Sequence, residues 1–298
     1  MARITKERNI VSFDKKQQLA ASWFEELRNR ICNEFENIEE QYLQSGNCPI
    51  DPEVSAVDAK FKCEFWERAG GGGGQMSVMK GNVFEKVGVN ISTVFGEFSK
   101  EFRDQIPGTK NSPNFWASGI SLVAHMRSPL VPAVHMNTRF ICTEKSWFGG
   151  GADLNPMFEV QEDKETFHQA FKVACDKHDK NYYPEFKKQC DEYFYIKHRK
   201  QSRGVGGIFY DYLNSGDFEN DFAFTRDVGL AFLDIFPKLV RKNMFKKWSD
   251  QQREEQLIKR GLYTEFNLIY DRGTKFGLMT DGNVKAILMS LPPIAKWN

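Results

Sequence analysis

Hydrophobic periodicity switches several times along this chain between helical and strand-like spacing, and the order of those changes restricts the fold more than any other feature. Apolar and polar residues alternate with a period of two in successive segments between residues 60 and 142. A block of amphipathic helical segments follows, and strand-like runs return at 206–213 and after residue 262. A doubly wound parallel sheet would instead show strands and helices in alternation. The order therefore predicts an α+β fold with a largely antiparallel β-sheet.

The individual segments are assigned from their periodicity and from the residues that end them. Residues 1–46 are expected to form an N-terminal helix, because apolar side chains recur every three or four positions from Leu19 to Tyr42 and Gly46 follows. The predicted strands are 60–66, 76–95, 115–126, 131–142, 206–213, 262–271 and 275–279, the last two forming a hairpin. The predicted helices are 162–178, 183–200, 217–245 with a break or kink at Pro237, and 249–260. No linker separates these segments, so residues 1–298 are predicted to form a single domain.

The charges nearly cancel, since 41 Lys and Arg oppose 40 Asp and Glu in 298 residues and leave a net charge of +1. A general nucleic-acid-binding protein would carry a strongly basic surface, so this class is excluded. No apolar run approaches the roughly 20 residues of a membrane helix, and the N-terminus lacks the apolar core of a secretory signal. Six scattered cysteines without a C-x-x-C pair are typical of reduced thiols. We therefore expect a cytoplasmic protein without a transmembrane segment.

The most informative local pattern is a predicted strand that carries three polar side chains on one face. His135, Asn137 and Arg139 share that face, whereas the opposite face is almost entirely apolar. A solvated outer face is the ordinary explanation, but such faces usually carry Lys, Glu and Thr. An imidazole, an amide and a guanidinium can together donate, accept and hold a carboxylate. We interpret this face as functional and expect Ser121 and His125 on the same side of the neighbouring strand.

Two glycine tracts each leave two interpretations open. The five glycines at 70–74 lack the lysine that closes a phosphate-binding loop, so they form either a ligand-contacting loop or a structural bend. Asp153 follows the second tract and precedes an Asn-Pro turn. It is either a turn residue that bonds its own backbone or a carboxylate presented to a ligand by neighbours without side chains.

The histidine pattern on its own favours structural roles. A metal site built from His125, His135, His168 and His198 is conceivable, but no pair has the i, i+4 spacing of a helix-borne zinc site. His198 continues a predicted helical stripe through Phe194, which directs it inward. Pattern alone therefore favours structural histidines at 168, 178 and 198.

Several uncommon sequence blocks, in the same order, make the chain similar to one enzyme family. The longer blocks are 115–125 (FWASGISLVAH), 134–140 (VHMNTRF), 147–154 (WFGGGADL), 203–207 (RGVGG), 263–278 (YTEFNLIYDRGTKFGL) and 287–293 (ILMSLPP). Shorter blocks lie at 183–188 and 197–199. From about residue 20 to its end, the chain resembles the oxygen-dependent coproporphyrinogen III oxidases.

The resemblance implies a reaction, a fold and an assembly. The expected reaction is oxidative decarboxylation of the ring A and B propionates of coproporphyrinogen III to vinyl groups, giving protoporphyrinogen IX in haem biosynthesis. The implied fold is a large flat antiparallel β-sheet covered by α-helices on both faces, and the implied assembly is a homodimer that uses residues 263–298. O2 is the co-substrate and no cofactor is normally required, although a divalent metal on four histidines has been proposed for some members.

The resemblance and the chemistry of the residues together predict a set of site residues. The predicted catalytic residues are His135, which matches the proposed proton donor, and Asp153. The predicted substrate-binding residues are Ser121, Asn137, Arg139, Asp271, Arg272 and Gly282. The implied metal ligands are His125, His135, His168 and His198. Gly282 is followed by Asn283, where relatives often carry Arg, and Lys285 is the nearest candidate for the missing charge.

The mechanistic hypothesis is that Asp153 assists deprotonation of a pyrrole NH, which makes an electron-rich ring that reacts directly with O2. On this hypothesis Asp153→Ala abolishes turnover and leaves the fold intact. One alternative is a metal-dependent oxygenase or hydrolase built on the four histidines. The other is a non-catalytic tetrapyrrole-binding module, for which an aromatic content of 14% suffices. Activity after exhaustive chelation tests the first alternative, and oxygen uptake with coproporphyrinogen tests the second.

Overall fold

The structure, a computed structural model, describes residues 13–46, 59–103, 106–279 and 282–297. A seven-stranded antiparallel sheet forms its centre, and helices pack on both faces of that sheet. The predicted α+β class with a large antiparallel sheet is confirmed. Residues 1–12 of the predicted N-terminal helix, Cys48 and Asp281 lie outside the described residues.

The central sheet is built mostly from strands that are consecutive in the chain. The described strands are β1 (Lys62–Glu67), β2 (Gly72–Met79), β3 (Phe84–Glu97), β4 (Asn114–Met126), β5 (Ala133–Cys142), β6 (Ser146–Asn155), β7 (Tyr195–Ile196), β8 (Gln201–Ser202) and β9 (Gly206–Leu213). The order in the sheet is β1-β2-β3-β4-β5-β6-β9, and β7 pairs only with β8. The sequence does not predict β6 as a strand, because its three consecutive glycines disfavour that conformation.

The described helices differ from the prediction mainly near the C-terminus. They are α1 (Phe13–Gln44), α2 (Lys100–Arg103), α3 (Gln161–Asp176), α4 (Tyr182–Tyr193), α5 (Phe218–Asn243), α6 (Asp250–Ile269), α7 (Arg272–Met279) and α8 (Val284–Ile287). The predicted hairpin at 262–279 is wrong, since α6 runs through Gly261 and α7 follows it. None of the described helices is long and apolar enough to cross a bilayer.

Packing explains why the two helix-breaking signals fail. Gly261 lies inside α6 because the C-terminal tail approaches there, and an added Cβ would lie 2.5 Å from the main-chain oxygen of Lys296. Pro237 is buried inside α5, and the helix continues past it, so of the predicted break or kink the break does not occur. The capping box at the start of α6 is as predicted, with Ser249 accepting from the backbone NH of Gln252 and Gln252 reaching back.

The first face of the sheet holds the main hydrophobic core. Helices α1 and α5 lie across it, and Phe35 of α1 stacks on Phe84 of β3 with ring centroids 4.6 Å apart. Phe236 of α5 meets Phe35 edge to face at 5.9 Å. Full burial of each such ring contributes about 1.5–3 kcal/mol, so this face anchors the sheet.

The second face is more polar, and a C-terminal strap (residues 284–291) lies across part of it. Three sheet side chains, Lys86, Asn90 and His125, donate hydrogen bonds to main-chain carbonyl oxygens of the strap at 2.8, 2.9 and 2.9 Å. Met289 occupies the space above Gly88, where any Cβ would collide with its side chain. The strap and α6 leave the surface over β4, β5, β6 and β9 as the floor of the candidate site.

The glycines at 70–74 have a structural role here. Gly70 and Gly71 form a turn, and β2 begins at Gly72 with φ +80°. A Cβ at Gly73 or Gly74 would collide with the main-chain oxygen of a neighbouring strand. The tract therefore allows close approach of strands.

Candidate active site

The site is built on the polar face that the alternation predicted. His135, Asn137 and Arg139 are half-buried, whereas the β5 residues between them are buried in the core. The register places Ser121 of β4 opposite Asn137, and Asp153 of β6 opposite His135. The expectation that Ser121 lies on the same side of the sheet as the polar face of β5 is confirmed by this register.

A directed chain of hydrogen bonds links four of these side chains. Arg139 Nη1 donates to Asn137 Oδ1 at 3.2 Å, and Asn137 Nδ2 lies 3.0 Å from His135 Nε2. His135 Nδ1 lies 2.8 Å from Asp153 Oδ1. Since Asp153 accepts from Nδ1–H and Asn137 donates to Nε2, the chain of donors fits a neutral His135 with its lone pair on Nε2. Proton uptake at Nε2 requires Asn137 to release this contact.

Asp153 is the most buried charged group of the site, with 1% of its side chain exposed. Both of its oxygens accept from Arg203 Nη2 at 2.8 Å, and Asn155 donates to Oδ2 at 2.9 Å. Burial alone would raise the pKa of Asp153, but Arg203 and His135 outweigh it and lower that pKa to about 2. Asp153 is not a turn residue, because Gly149–Gly151 and Asp153 all belong to strand β6, where the Asp153 side chain is buried.

Arg203 is a residue that pattern reasoning misses. Its guanidinium is 2% exposed and lies over the rings of Phe194, Tyr263 and Phe266, at 4.1, 4.5 and 4.7 Å from their centroids. The only sequence signal is the Arg-Gly-Val-Gly-Gly block, which gives no partner. Because Arg203 and Asp153 are both buried and their charges cancel, the pair forms a fixed support for His135.

Arg139 and Arg272 converge on one carboxylate at the other end of the floor. Asp211 of β9 pairs with Arg139 Nη2 at 2.9 Å and with Arg272 Nη2 at 3.5 Å. Sequence reasoning missed Asp211 as well, since nothing in the order of residues shows that β9 pairs with β6 and so brings Asp211 near Arg139 and α7. Two guanidiniums aimed at one point form a seat for a carboxylate.

Helix α7 forms one wall beside this seat. Asp271, a predicted substrate contact, accepts from Tyr193 OH at 2.9 Å and from the backbone NH of Thr274 at 2.6 Å, so it caps α7. Burial, and then the Asp271 carboxylate, raise the pKa of Tyr193 to about 12 and keep its hydroxyl protonated. Arg272 lies over the stacked rings of Tyr193 and Phe209. These rings give the wall an apolar surface.

The predicted contact at Gly282 has local partners. Its NH donates to Gly277 O at 2.9 Å, and Asn283 caps α8 by accepting from the backbone NH of Ala286 at 2.9 Å. Lys285 pairs with Glu64 of β1 at 2.5 Å. In this conformation Asn283 caps α8, and Lys285 forms an ion pair at the edge of the sheet.

The four histidines of the implied metal site do not meet. His125 donates to a strap carbonyl, and His168 contacts a main-chain carbonyl and a tyrosine hydroxyl. His198 contacts Glu265 at 2.6 Å and a second tyrosine hydroxyl. No group of three or more His, Cys, Asp or Glu within the described ranges could hold a metal ion. The residues of one chain therefore do not fit the implied metal site.

The inward direction predicted for His198 is also wrong. Helix α4 ends at Tyr193, and His198 lies on a 3-10 turn at residues 197–199, where its side chain is 39% exposed. By contrast, His125 is fully buried, and burial followed by repulsion from Arg260 lowers its pKa to about 3. His125 therefore stays neutral and serves as a donor to the strap.

Comparison with known proteins shows the family of the chain. The profile described as coproporphyrinogen III oxidase matches residues 20–298, so the chain belongs to that family. It is 63% identical over 283 residues to a protein of Rickettsia bellii (strain OSU 85-389), which covers 95% of this chain and 99% of the relative. Relatives from Rickettsia akari (strain Hartford) and Rickettsia africae (strain ESF-5) are 63% and 62% identical over 284 residues, with the same coverage. All three are named oxygen-dependent coproporphyrinogen-III oxidase.

Proposed function

We propose that this chain converts the ring A and B propionates of coproporphyrinogen III to vinyl groups, giving protoporphyrinogen IX in haem biosynthesis. Each propionate loses its carboxylate as CO2 and a hydrogen with its electron pair from the carbon next to the ring. O2 accepts that pair and, with two protons in all, leaves as hydrogen peroxide. The observation that carries the proposal is the row His135, Asn137 and Arg139 beside the buried Asp153, in a chain of this family.

The charged end of the site suits the substrate's carboxylates. Arg139 presents a planar guanidinium on the floor, and Arg272 approaches from α7. Planar guanidiniums bind carboxylates through two parallel hydrogen bonds, which a lysine cannot reproduce. The partly buried ring of Tyr193, stacked on the buried Phe209, gives this end of the site an apolar side. Ser121 and Asn137 remain candidates for polar contacts with it.

We assign the proton transfer to His135 and a positioning role to Asp153. A carboxylate with a pKa of about 2 is a weak base, and both of its oxygens are already occupied. His135 Nε2 instead carries a lone pair at the surface of the floor, where a pyrrole NH can replace the Asn137 contact. When Nε2 takes the proton, Asp153 at 2.8 Å stabilises the imidazolium. His135 then returns the proton later in the cycle.

The assembly, location and cofactor use are parts of the same proposal. We propose a homodimer through residues 263–298, supported by exposed apolar side chains there that include Met279 at 67% and Trp297 at 55% exposure. Light scattering at several concentrations measures the mass. We further propose a cytoplasmic protein that uses O2 and needs no cofactor. Fractionation tests the first point, and turnover after exhaustive chelation tests the second.

The function is tested by following protoporphyrin fluorescence from coproporphyrinogen III with and without O2, after oxidation of the product. We expect fluorescence only with O2, with one H2O2 and one CO2 per vinyl formed. His135→Gln serves as the matched negative control, since it keeps a polar side chain on β5. Binding without oxygen uptake by the wild-type chain would support a carrier and refute the proposal.

A further inference from the structure

Asp211 reaches the site because β9 is irregular at this point. Gly149 of β6 lies opposite both Asp211 and Tyr212, since the register passes from Gly150–Tyr210 to Phe148–Leu213. Tyr212 adopts φ +57°, and its NH donates to Asp211 Oδ1 at 3.0 Å. Such a bulge re-aims a side chain and costs local backbone strain.

The opposite residue leaves space for the pair. An added Cβ at Gly149 would lie 2.9 Å from Arg139 Nη2 and 2.9 Å from Asp211 Oδ1. Only glycine at this position leaves the ion pair undisturbed. The bulge in β9, the strained backbone of Tyr212 and the glycine at position 149 therefore together place the carboxylate of Asp211 between two guanidiniums.

The position of Asp211 coincides with the position proposed for a substrate carboxylate. The side chain of Asp211 is 14% exposed and forms ion pairs with Arg139 and Arg272, the two groups that the proposed function assigns to a propionate. A ligand carboxylate that approaches Arg139 must share or take the place of Asp211 on these cations. A carboxylate already in the seat also repels one that enters.

We propose that Asp211 is a specificity-determining residue that occupies the propionate seat of the empty site and competes with the substrate's carboxylate for Arg139 and Arg272. The inference rests on the proposed function. By this competition Asp211 admits ligands whose several carboxylates bind together. It rejects small monocarboxylates, which make only one contact. Asp211 also pairs with the arginines again when a ligand carboxylate leaves, which favours release of that ligand.

Binding of the stable porphyrin tests the competition directly. Coproporphyrin III and its tetra-amide are titrated by protein fluorescence quenching into the wild-type chain, Asp211→Asn, and the surface control Asp234→Asn, which removes an exposed charge on α5. The Asn variant keeps an oxygen for the Tyr212 NH, and Asp211→Ser is a second variant that keeps an acceptor. We expect coproporphyrin III to bind Asp211→Asn about ten-fold more tightly, with the tetra-amide unchanged.

The kinetic readout separates competition from a structural role. We expect Asp211→Asn to lower KM for coproporphyrinogen III and to lower kcat as well, because release slows. A structural role predicts weaker binding of both porphyrins and a lower melting temperature.

Equal or weaker binding of the tetra-acid by a folded Asp211→Asn, or an equal gain for the tetra-amide, would overturn the inference. If the wild-type chain shows no turnover but the variant gains affinity for the tetra-acid, the proposed function fails and the competition stands.

Discussion

The Asp153–Arg203 pair allows one prediction to be worked out in full. Asp153→Asn removes the anion and leaves the guanidinium of Arg203, 2% exposed, without its charge partner. The pKa of Asp153 falls from its ordinary 3.8 to about 2, which is worth roughly 2–3 kcal/mol at about 1.4 kcal/mol for each pKa unit. Stranding a buried cation adds to this, and breaking such pairs costs about 3–5 kcal/mol. We therefore expect the free energy of unfolding to fall by about 3–5 kcal/mol.

The dependence on pH gives the sign of the effect. Because folding lowers the pKa of Asp153, its contribution is fully present above the ordinary value of 3.8 and is lost as the pH falls through about 2. The difference in unfolding free energy between wild type and Asp153→Asn should be constant from pH 5 to 7 and should shrink below pH 4. Asp153→Ala should likewise lose stability together with activity, which differs from the intact fold that the sequence predicts.

Urea denaturation at each pH, followed by circular dichroism, measures this difference. Asp234→Asn is the matched control, because that carboxylate is 65% exposed and its removal should change stability by no more than about 0.5 kcal/mol. A loss below 1 kcal/mol for Asp153→Asn at pH 7, or a difference that does not shrink in acid, would refute the reasoning.

Three further predictions address the arginine seat, the proton carrier and the core. Arg139→Lys should raise KM for coproporphyrinogen III at least ten-fold, since a lysine loses the paired geometry, and an unchanged KM would remove Arg139 from the seat. His135→Gln should lower kcat by about 10²–10⁴ with little change in melting temperature, and steady-state kinetics that match wild type would exclude its proton role. Phe35→Ala should lower the free energy of unfolding by about 3–5 kcal/mol, because Phe35 is fully buried between α5 and the sheet. Urea titrations measure this loss, and a loss under about 1 kcal/mol would contradict that packing.

The strands that alternate cleanly were predictable, and the elements whose packing overrides local signals were not. His135, Asn137 and Arg139 followed from a period of two, because one face of β5 is buried and register is then fixed. The hairpin at 262–279 failed because the same apolar residues also fit helical spacing, with Tyr263 and Phe266 buried on one side of α6.

Only part of the candidate site could be predicted from the sequence, for a similar reason. Residues on one strand share a face by geometry, so their proximity can be stated from the chain alone. Arg203 and Asp211 join them only because β9 pairs with β6, which no local pattern encodes. The resemblance supplied blocks of residues but not the partners of Asp153, and these partners decide that it is a buried ion.

The C-terminal strap is held to the sheet through its main chain, and this has a consequence for which changes it tolerates. Lys86, Asn90 and His125 bind carbonyl oxygens, which every amino acid possesses. Substitutions at Ala286, Ser290 or Leu291 therefore leave the acceptors in place. A deletion of one residue would instead displace these acceptors from their donors. For these three hydrogen bonds, the length of the segment sets the register with the sheet, and the side chain of Met289 adds packing against Gly88.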